Sequence, residues 1–511
     1  MLAAIRSATL LGVQGLPTTV EVHVGPGLPG LSIVGLPDEA CRESRDRVRA
    51  ALLSSDLTWP MQRITVNLVP SGQRKGGSGL DLAIAVGLLA ASGQLGDDPH
   101  EALEALGFVG ELGLDGSVRP VPGVAPMVAC LDGAVAVVPV RSAAEARAIA
   151  GERIRPIEDL RCLVDAVTGV APWPDPPPRS APQAPGFQPD LADVRGQPVA
   201  RQALEIAAAG NHHLLLVGPP GSGKTMLAQR LSGLLPELHG ETSIQSTMVH
   251  SAMGVPLPGD GVVHRPPFCA PHHSSSMVSL VGGGSASLRP GVISMAHGGV
   301  LFLDELGEFS PSVLDALRQP LEEGVVRIAR SRVHATLPAR FLLVGATNPC
   351  PCGGGAPGSC VCDDAAKARY VRRLSGPLLD RFDLRVGVAK PCVDELLAET
   401  VGESTAITAR RVAAARELAL GLRGMLNGAI PPEQLDRLVP LTRAARDLLR
   451  AELEHDRLTG RGFHRVRRVS RTLADLQATA GGDPEAPVDD TQVSTALALR
   501  VSVASTRAVA A

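Results

Sequence analysis

The 511-residue chain sets 49 Lys and Arg against 52 Asp and Glu for a formal charge of -3, so two to four domains are expected and no global basic field marks a nucleic-acid binder. Aromatic residues make up 2%, which leaves few stacking platforms for bases and gives the core to Leu, Val, Ala and Ile. There is no run of 18 apolar residues, the opening MLAAIRSATLLG lacks a continuous apolar region with a cleavage site, and the nine cysteines are mostly scattered; a soluble cytoplasmic protein without membrane contact is the expectation.

Residues 1–168 alternate β-rich runs (TVEVHV at 19–24, LSIVG at 31–35, ITVNL at 64–68, AVAVVPV at 134–140) with Ala/Leu-rich helical stretches at 38–53, 80–92 and 142–150. This pattern predicts an α/β or α+β domain with its own core. KGGSGLDLAIAV at 75–86 is glycine-rich but lacks the order strand, loop, GK[ST], and its apolar spacing after Leu80 is that of a packed helix, so it is read as scaffold. Eight prolines between 171 and 190 exclude a helix or central strand and mark 169–190 as a linker.

A helix over 197–210, ending at a glycine, is expected beside an adenine pocket. LLLVGPPGSGKT at 214–225 follows. Four apolar residues predict a buried strand, and Gly218, Pro219, Pro220, Gly221, Ser222 and Gly223 form a tight loop whose N–H groups can face a phosphate chain. Lys224 and Thr225 then open a helix. In this phosphate loop Lys224 reaches the β- and γ-phosphates and the Thr225 hydroxyl holds Mg²⁺. Nucleotide binding follows.

The Gly/Ser/Pro-rich region 245–299 reads as an extended insertion, in which the adjacent His272 and His273 make a poor pair of ligands for one metal. They are taken as structural or loop contacts, with substrate or partner contact as the alternative. In GGVLFLDELGEF at 298–309 an apolar strand ends in Asp304 and Glu305, where open parallel sheets bind their ligands. Asp304 would position Mg²⁺ and Glu305 would polarise the attacking water.

A helix with a proline start is predicted over 311–324, then a hairpin over 325–341 with Arg330, Ser331 and Arg332 near its tip; that tip is either a contact to a nucleic-acid backbone or a solvated turn. FLLVGATNP at 341–349 is a further apolar strand ending in Asn348, whose amide could contact the γ-phosphate and the water. Cys350, Cys352, Cys360 and Cys362 lie within thirteen residues and could close a tetrahedral Zn²⁺ site around a loop without an apolar core, with redox chemistry or ordinary thiols as alternatives.

Arg381, at the end of a helix entering a strand, could project from the subunit toward a neighbour's ATP. Residues 393–511 are almost wholly helical; one helix carries Arg461, Arg465 and Arg468 on one face, and Arg467 and Arg471 on another. One face would meet nucleotide and the other a partner or nucleic acid, unless the helix is simply solvated and salt-bridged.

VRGQ at 194–197, GPPGSGKT, APHHSSS at 270–276, GVLFLDEL, ATNPCPCG at 346–353 and SGPLLDRFDL at 375–384 together resemble the ComM/YifB family of magnesium-chelatase-like AAA+ ATPases over essentially the full length. The resemblance implies Lys224 and Thr225 as Walker A, Asp304 and Glu305 as Walker B, Asn348 as sensor 1, Arg381 as an arginine finger acting in trans and Arg461 as sensor 2. It also implies ATP and Mg²⁺, a hexameric ring, and single-stranded or branched DNA as partner. The best described member is a branch-migration helicase of natural transformation. The 325–341 hairpin and the 245–299 insertion would line the ring's pore.

GELGLDGSVRPVPG at 110–123 resembles the proteolytic domain of Lon-type proteases, which use a Ser-Lys dyad. Ser78 falls near the serine position, but Ala125 stands where the lysine is expected, so a non-proteolytic domain is implied. The expected fold is α/β throughout: an N-terminal Lon-protease-like (S5 domain 2-like) domain over 1–168, an AAA+ P-loop core over 191–392 and a C-terminal helical lid over 393–511. The magnesium-chelatase ATPase subunit shares the core, so metal insertion into a tetrapyrrole is one alternative, and protein remodelling without DNA is another.

Overall fold

The computed structural model describes residues 1–501 apart from 73–74, 97–98, 180–188, 285–287, 331–332, 355–359, 375 and 398–401. Ser331 and Arg332 of the expected hairpin tip, and residues 180–188 of the Pro-rich linker, therefore lie outside the described residues.

The N-terminal region forms a seven-stranded sheet in the order Gly30–Val34, Arg63–Val69, Gln14–Gly25, Leu2–Leu11, Leu106–Phe108, Val135–Pro139, Ile154–Ile157. The opening Leu2–Leu11 pairs antiparallel with Gln14–Gly25 along its whole length, from Leu2 opposite His23 to Leu11 opposite Gln14. The alternation read in TVEVHV turns Val20, Val22 and Val24 into the core. Against this sheet packs Asp81–Ala91, a helix buried on every side, which is why its sequence shows no polar face. Its one charge, Asp81, is met by Arg47 Nε at 2.6 Å, Ser44 Oγ at 2.5 Å and the Leu112 N–H at 3.3 Å.

The second sheet is parallel, in the order Phe268–Cys269, Val300–Leu303, Leu342–Thr347, Leu214–Val217, Leu384–Gly387. Runs such as Leu214–Val217 and Leu342–Thr347 are buried throughout, as expected for strands covered on both faces. The region 245–299 is more structured than a loop: it supplies the edge strand Phe268–Cys269 and the helices Met277–Val281 and Val292–Met295. The single helix expected over 311–324 is two, Pro311–Ala316 and Arg318–Glu323. The hairpin is present as Val325–Arg330 against Val333–Pro338.

The C-terminal helices Thr405–Arg423, Arg443–Glu454, Gly460–Ala478 and Asp490–Ala498 share one apolar cluster with the second sheet, joining Val412, Val466 and Val493 to Leu214 and Val344. Arg467 and Arg471 correct the sequence reading: both are buried, Arg467 bonding Asp436 Oδ1 at 2.6 Å and the Leu435 and Val439 carbonyls, Arg471 bonding Asp475 Oδ1 at 2.9 Å and the Ala486 and Pro484 carbonyls. That face of the helix is the interior of the lid.

The two α/β regions touch through the insertion. Gly12 N–H donates to the Leu288 carbonyl at 3.2 Å, and Gly123 N–H to the Ser251 carbonyl at 2.9 Å. Glu145 accepts from the Ala125 N–H at 2.8 Å and from the Ser251 hydroxyl. Ala125 is fully buried, and what stands where a dyad lysine is expected is a backbone contact.

Candidate active site

Leu214–Val217 ends between the two strands it pairs with, and the chain then turns sharply. Gly221 and Gly223 take positive φ values of +73° and +89°, open to glycine at little cost. At Gly218 a Cβ would lie 2.1 Å from the Val388 carbonyl oxygen, so only glycine fits. The helix Lys224–Leu231 starts immediately after, presenting unpaired N–H groups to the loop.

Lys224 folds back over this loop. Its Nζ donates to the Gly218 carbonyl at 2.7 Å, the Pro219 carbonyl at 3.0 Å and Asn348 Oδ1 at 3.3 Å. Burial lowers its pKa, and the carboxylates of Asp304 and Glu305 oppose that shift. Asn348 reaches Lys224 because its strand, Leu342–Thr347, is the sheet neighbour of Leu214–Val217.

Asp304 and Glu305 follow the buried strand Val300–Leu303. Asp304 Oδ2 accepts from Thr225 Oγ1 at 2.7 Å, and its Oδ1 from the Glu305 N–H at 2.9 Å. Glu305 has φ +51° and ψ +49°, a left-handed conformation uncommon outside glycine and typical of over-determined functional positions. Its Oε2 lies 3.4 Å from His273 Nδ1, a contact the sequence reading did not assign. The His272 ring lies tilted against that of His273, with ring centroids 4.1 Å apart.

Arg381 is elsewhere in the chain's contacts: its guanidinium pairs with Glu322. Burial lowers its pKa, assisted by the nearby cations Arg465, Arg461 and Arg318. Arg461 is 69% exposed, with Nη1 3.8 Å from Asp380, so it joins Arg381 and its described contact is not to the phosphate loop. Arg465 Nη1 donates to Asp383 Oδ1 at 2.6 Å and to the carbonyl of Arg381 itself at 2.9 Å. Burial would raise the Asp383 carboxyl, but His212, with Nδ1 3.6 Å from its Oδ2, and the charge of Arg465 hold it well below the usual carboxylate range. The base of Arg381 is thus locked to the lid.

A hydroxyl, two carboxylates, an amide and an ammonium gathered over a glycine loop have the chemistry of phosphoanhydride cleavage. Residues 190–396 match the family described as magnesium chelatase, subunit ChlI; residues 20–139 match subunit ChlI of Mg-chelatase, and 402–500 its C-terminal part. The chain is 47% identical over 486 residues to an uncharacterized protein of Mycobacterium tuberculosis, covering 92% of this chain and 94% of the relative. It is 41% identical over 479 residues to the uncharacterized protein YifB of Escherichia coli (93% of each) and 41% over 485 residues to the competence protein ComM of Haemophilus influenzae (93% and 94%). The chain belongs to the ComM/YifB family of magnesium-chelatase-like AAA+ ATPases. A partial likeness, 28% over 186 residues and 31% of this chain, is to Lon protease 2 of Bacillus subtilis.

Membership in this AAA+ family implies ATP and Mg²⁺ as the ligands of the pocket, and the donor set fits them. Thr225 Oγ1 and Asp304 Oδ2, 2.7 Å apart, are hard oxygen donors of the kind that hold Mg²⁺ against a phosphate chain. Beyond Asn348 the four cysteines converge: Cys350 Sγ lies 3.4 Å from Cys352 Sγ and 3.6 Å from Cys360 Sγ, and all four sulfurs fall within 4.8 Å of one another. No helix among the described residues is long and apolar enough to cross a membrane.

Proposed function

We propose that the chain is an ATP-hydrolysing ring motor, a hexameric DNA helicase or branch-migration factor acting in recombination or natural transformation. The observation that carries this reading is the division of the catalytic set. Lys224, Thr225, Asp304, Glu305 and Asn348 meet in one pocket, while Arg381 pairs with Glu322 among other arginines. In the proposed mechanism Lys224 and the loop N–H groups hold the phosphates, Thr225 and Asp304 hold Mg²⁺, which neutralises phosphate charge, and Glu305 orients the in-line water with Asn348. Arg381, with Arg461 beside it, leaves Glu322 to reach the ATP of the adjacent subunit. The hairpin Val325–Pro338 and the insertion would face DNA, Zn²⁺ would close the four-cysteine loop, and the Lon-like domain, with Ala125 in place of a lysine, serves as a non-proteolytic scaffold.

The DNA part of the reading draws support from the name of the competence relative. The name of the matching family favours a second reading, metal insertion into a tetrapyrrole; remodelling of a protein partner is a third. ATP turnover measured with single-stranded, forked and Holliday-junction DNA separates them. Stimulation together with displacement of a labelled strand is expected; no stimulation and no displacement would contradict the DNA reading and leave the ATPase standing.

A further inference from the structure

The four-cysteine loop is tied to the phosphate pocket at three points. First, Cys350 follows Asn348 by two residues, and Asn348 Oδ1 is the 3.3 Å partner of Lys224 Nζ. Second, Gly353 takes φ +72°, and a Cβ on it would lie 2.7 Å from Pro220 Cδ. The loop backbone therefore rests directly on the Walker A loop, in a conformation that also favours glycine. Third, the far arm with Cys360 and Cys362 runs into the helix Asp364–Arg373, where the Tyr370 hydroxyl lies 3.0 Å from Thr347 Oγ1. The same Tyr370 ring packs where a Cβ on Gly307 would meet it at 2.8 Å, in the turn that follows Glu305.

The two arms of the cluster thus bracket the strand end bearing Asn348 and the turn bearing Glu305. The four sulfurs bring the arms together, with Cys352 exposed and Cys360 and Cys362 half-buried. Four thiolates at this spacing match the donor set of a closed tetrahedral site for a soft divalent cation. Such a site supplies folding energy to a loop without a core.

We infer that this metal site is a positioning device for ATP hydrolysis: the metal closes the four-cysteine loop, whose seat on Pro220 through Gly353 places Asn348 at the γ-phosphate, so that a closed and seated loop sets turnover while nucleotide binding is largely preserved. The inference rests on the Zn²⁺ reading above. The P-loop N–H groups and Lys224 account for binding, and they lie outside the loop. Asn348, at the loop's root, is the group that the proposed mechanism sets beside the γ-phosphate and the attacking water.

The test uses the full-length chain. Metal content is measured by atomic emission, and the site is probed with Co²⁺ for thiolate charge-transfer absorption. Steady-state turnover and affinity for a fluorescent ADP are then compared among the unmodified chain, Cys352→Ser, Gly353→Ala, Asn348→Ala and the double variant Cys352→Ser/Asn348→Ala. The expected result is one Zn²⁺ per chain, lost in Cys352→Ser and retained in Gly353→Ala. Turnover falls on the order of tenfold or more in both variants, with ADP affinity changed less than about threefold. The double variant should be no slower than Asn348→Ala, because the two changes act on one arrangement. Absence of metal and of Co²⁺ absorption would overturn the Zn²⁺ reading and the inference with it. Metal bound at one per chain with full turnover in Gly353→Ala, or with losses that multiply in the double variant, would overturn the inference alone. Gly353→Ala keeps all four thiols, so it decides the matter even where Cys352→Ser fails to fold.

Discussion

His273 Nδ1 stands 3.4 Å from Glu305 Oε2, and the contact exists because the edge strand Phe268–Cys269 pairs in parallel with Val300–Leu303. The same register that sets Glu305 at the end of its strand carries the histidine turn across to it. A carboxylate engaged by an imidazole is not free to polarise water. Both side chains are partly exposed, at 35% and 57%, so the pair is weak, worth up to about 1 kcal/mol. His273→Ala is accordingly expected to raise basal ATP turnover by up to about fivefold. Unchanged or lower turnover in a steady-state assay would show that His273 does not restrain Glu305.

Glu305→Gln keeps the size of the side chain and removes its basicity. It should bind ATP with near-normal affinity and turn over at least about 100-fold more slowly. Normal turnover would remove Glu305 from the role of water-orienting base.

The pH dependence of stability has a defined sign. His213 and His297 are each pushed down to about 4 from 6.5, in both cases chiefly by burial. Each uses Nδ1 to accept a backbone N–H, from Leu343 and Arg340 respectively, at 3.1 Å, which fits the neutral ring. Since the unfolded chain takes up these protons first, the stability they contribute is complete above about pH 6.5 and is lost as pH falls toward 4. On the order of 1 to 2 kcal/mol for each is expected to be gone by pH 5. Urea midpoints at pH 7.5 and 5 check this, and His297→Gln should flatten the dependence. A midpoint that stays constant, or rises, on acidification contradicts it.

The lid is pinned from inside by Asp475, which pairs with Arg423 and Arg471 and accepts from Asn427 Nδ2 at 2.7 Å. Asp475→Ala leaves two guanidinium groups buried without their counter-charge. A loss of about 3 kcal/mol or more is expected in chemical denaturation. A midpoint equal to that of the unmodified chain would mean that the lid is held by its apolar cluster alone.

The parts legible in the sequence were those whose meaning is local. GPPGSGKT and FLDE each carry strand, turn and ligand within a dozen residues, and Lys224, Asp304 and Asn348 were readable together because apolar strands precede all three. His273 was not legible. The strand that precedes it is two residues long, too short to show a period, and its partner Glu305 follows another strand. Arg467 and Arg471 misled because a helical face rich in arginine reads as solvated; the acids that pair with them, Asp436 and Asp475, lie on a separate element and one turn further on. Arg381 was singled out by its place between Asp380 and Phe382, but its link to the lid through Arg465 needed the fold. The opening strand Leu2–Leu11 was hidden because its buried positions include Ala3, Ser7, Ala8 and Thr9, small or polar residues that give little apolar alternation.

The most direct measurement of the central claim, that each ATP site is completed by a neighbour's Arg381, is ATP turnover by mixtures of Lys224→Ala and Arg381→Ala chains whose assembly is verified by sedimentation. Each variant alone should be nearly inactive. Co-assembled at equal amounts, they should regain turnover, because an intact Lys224 pocket then meets an intact Arg381 from the adjacent subunit. Mixed assemblies as inactive as either variant alone would contradict the account.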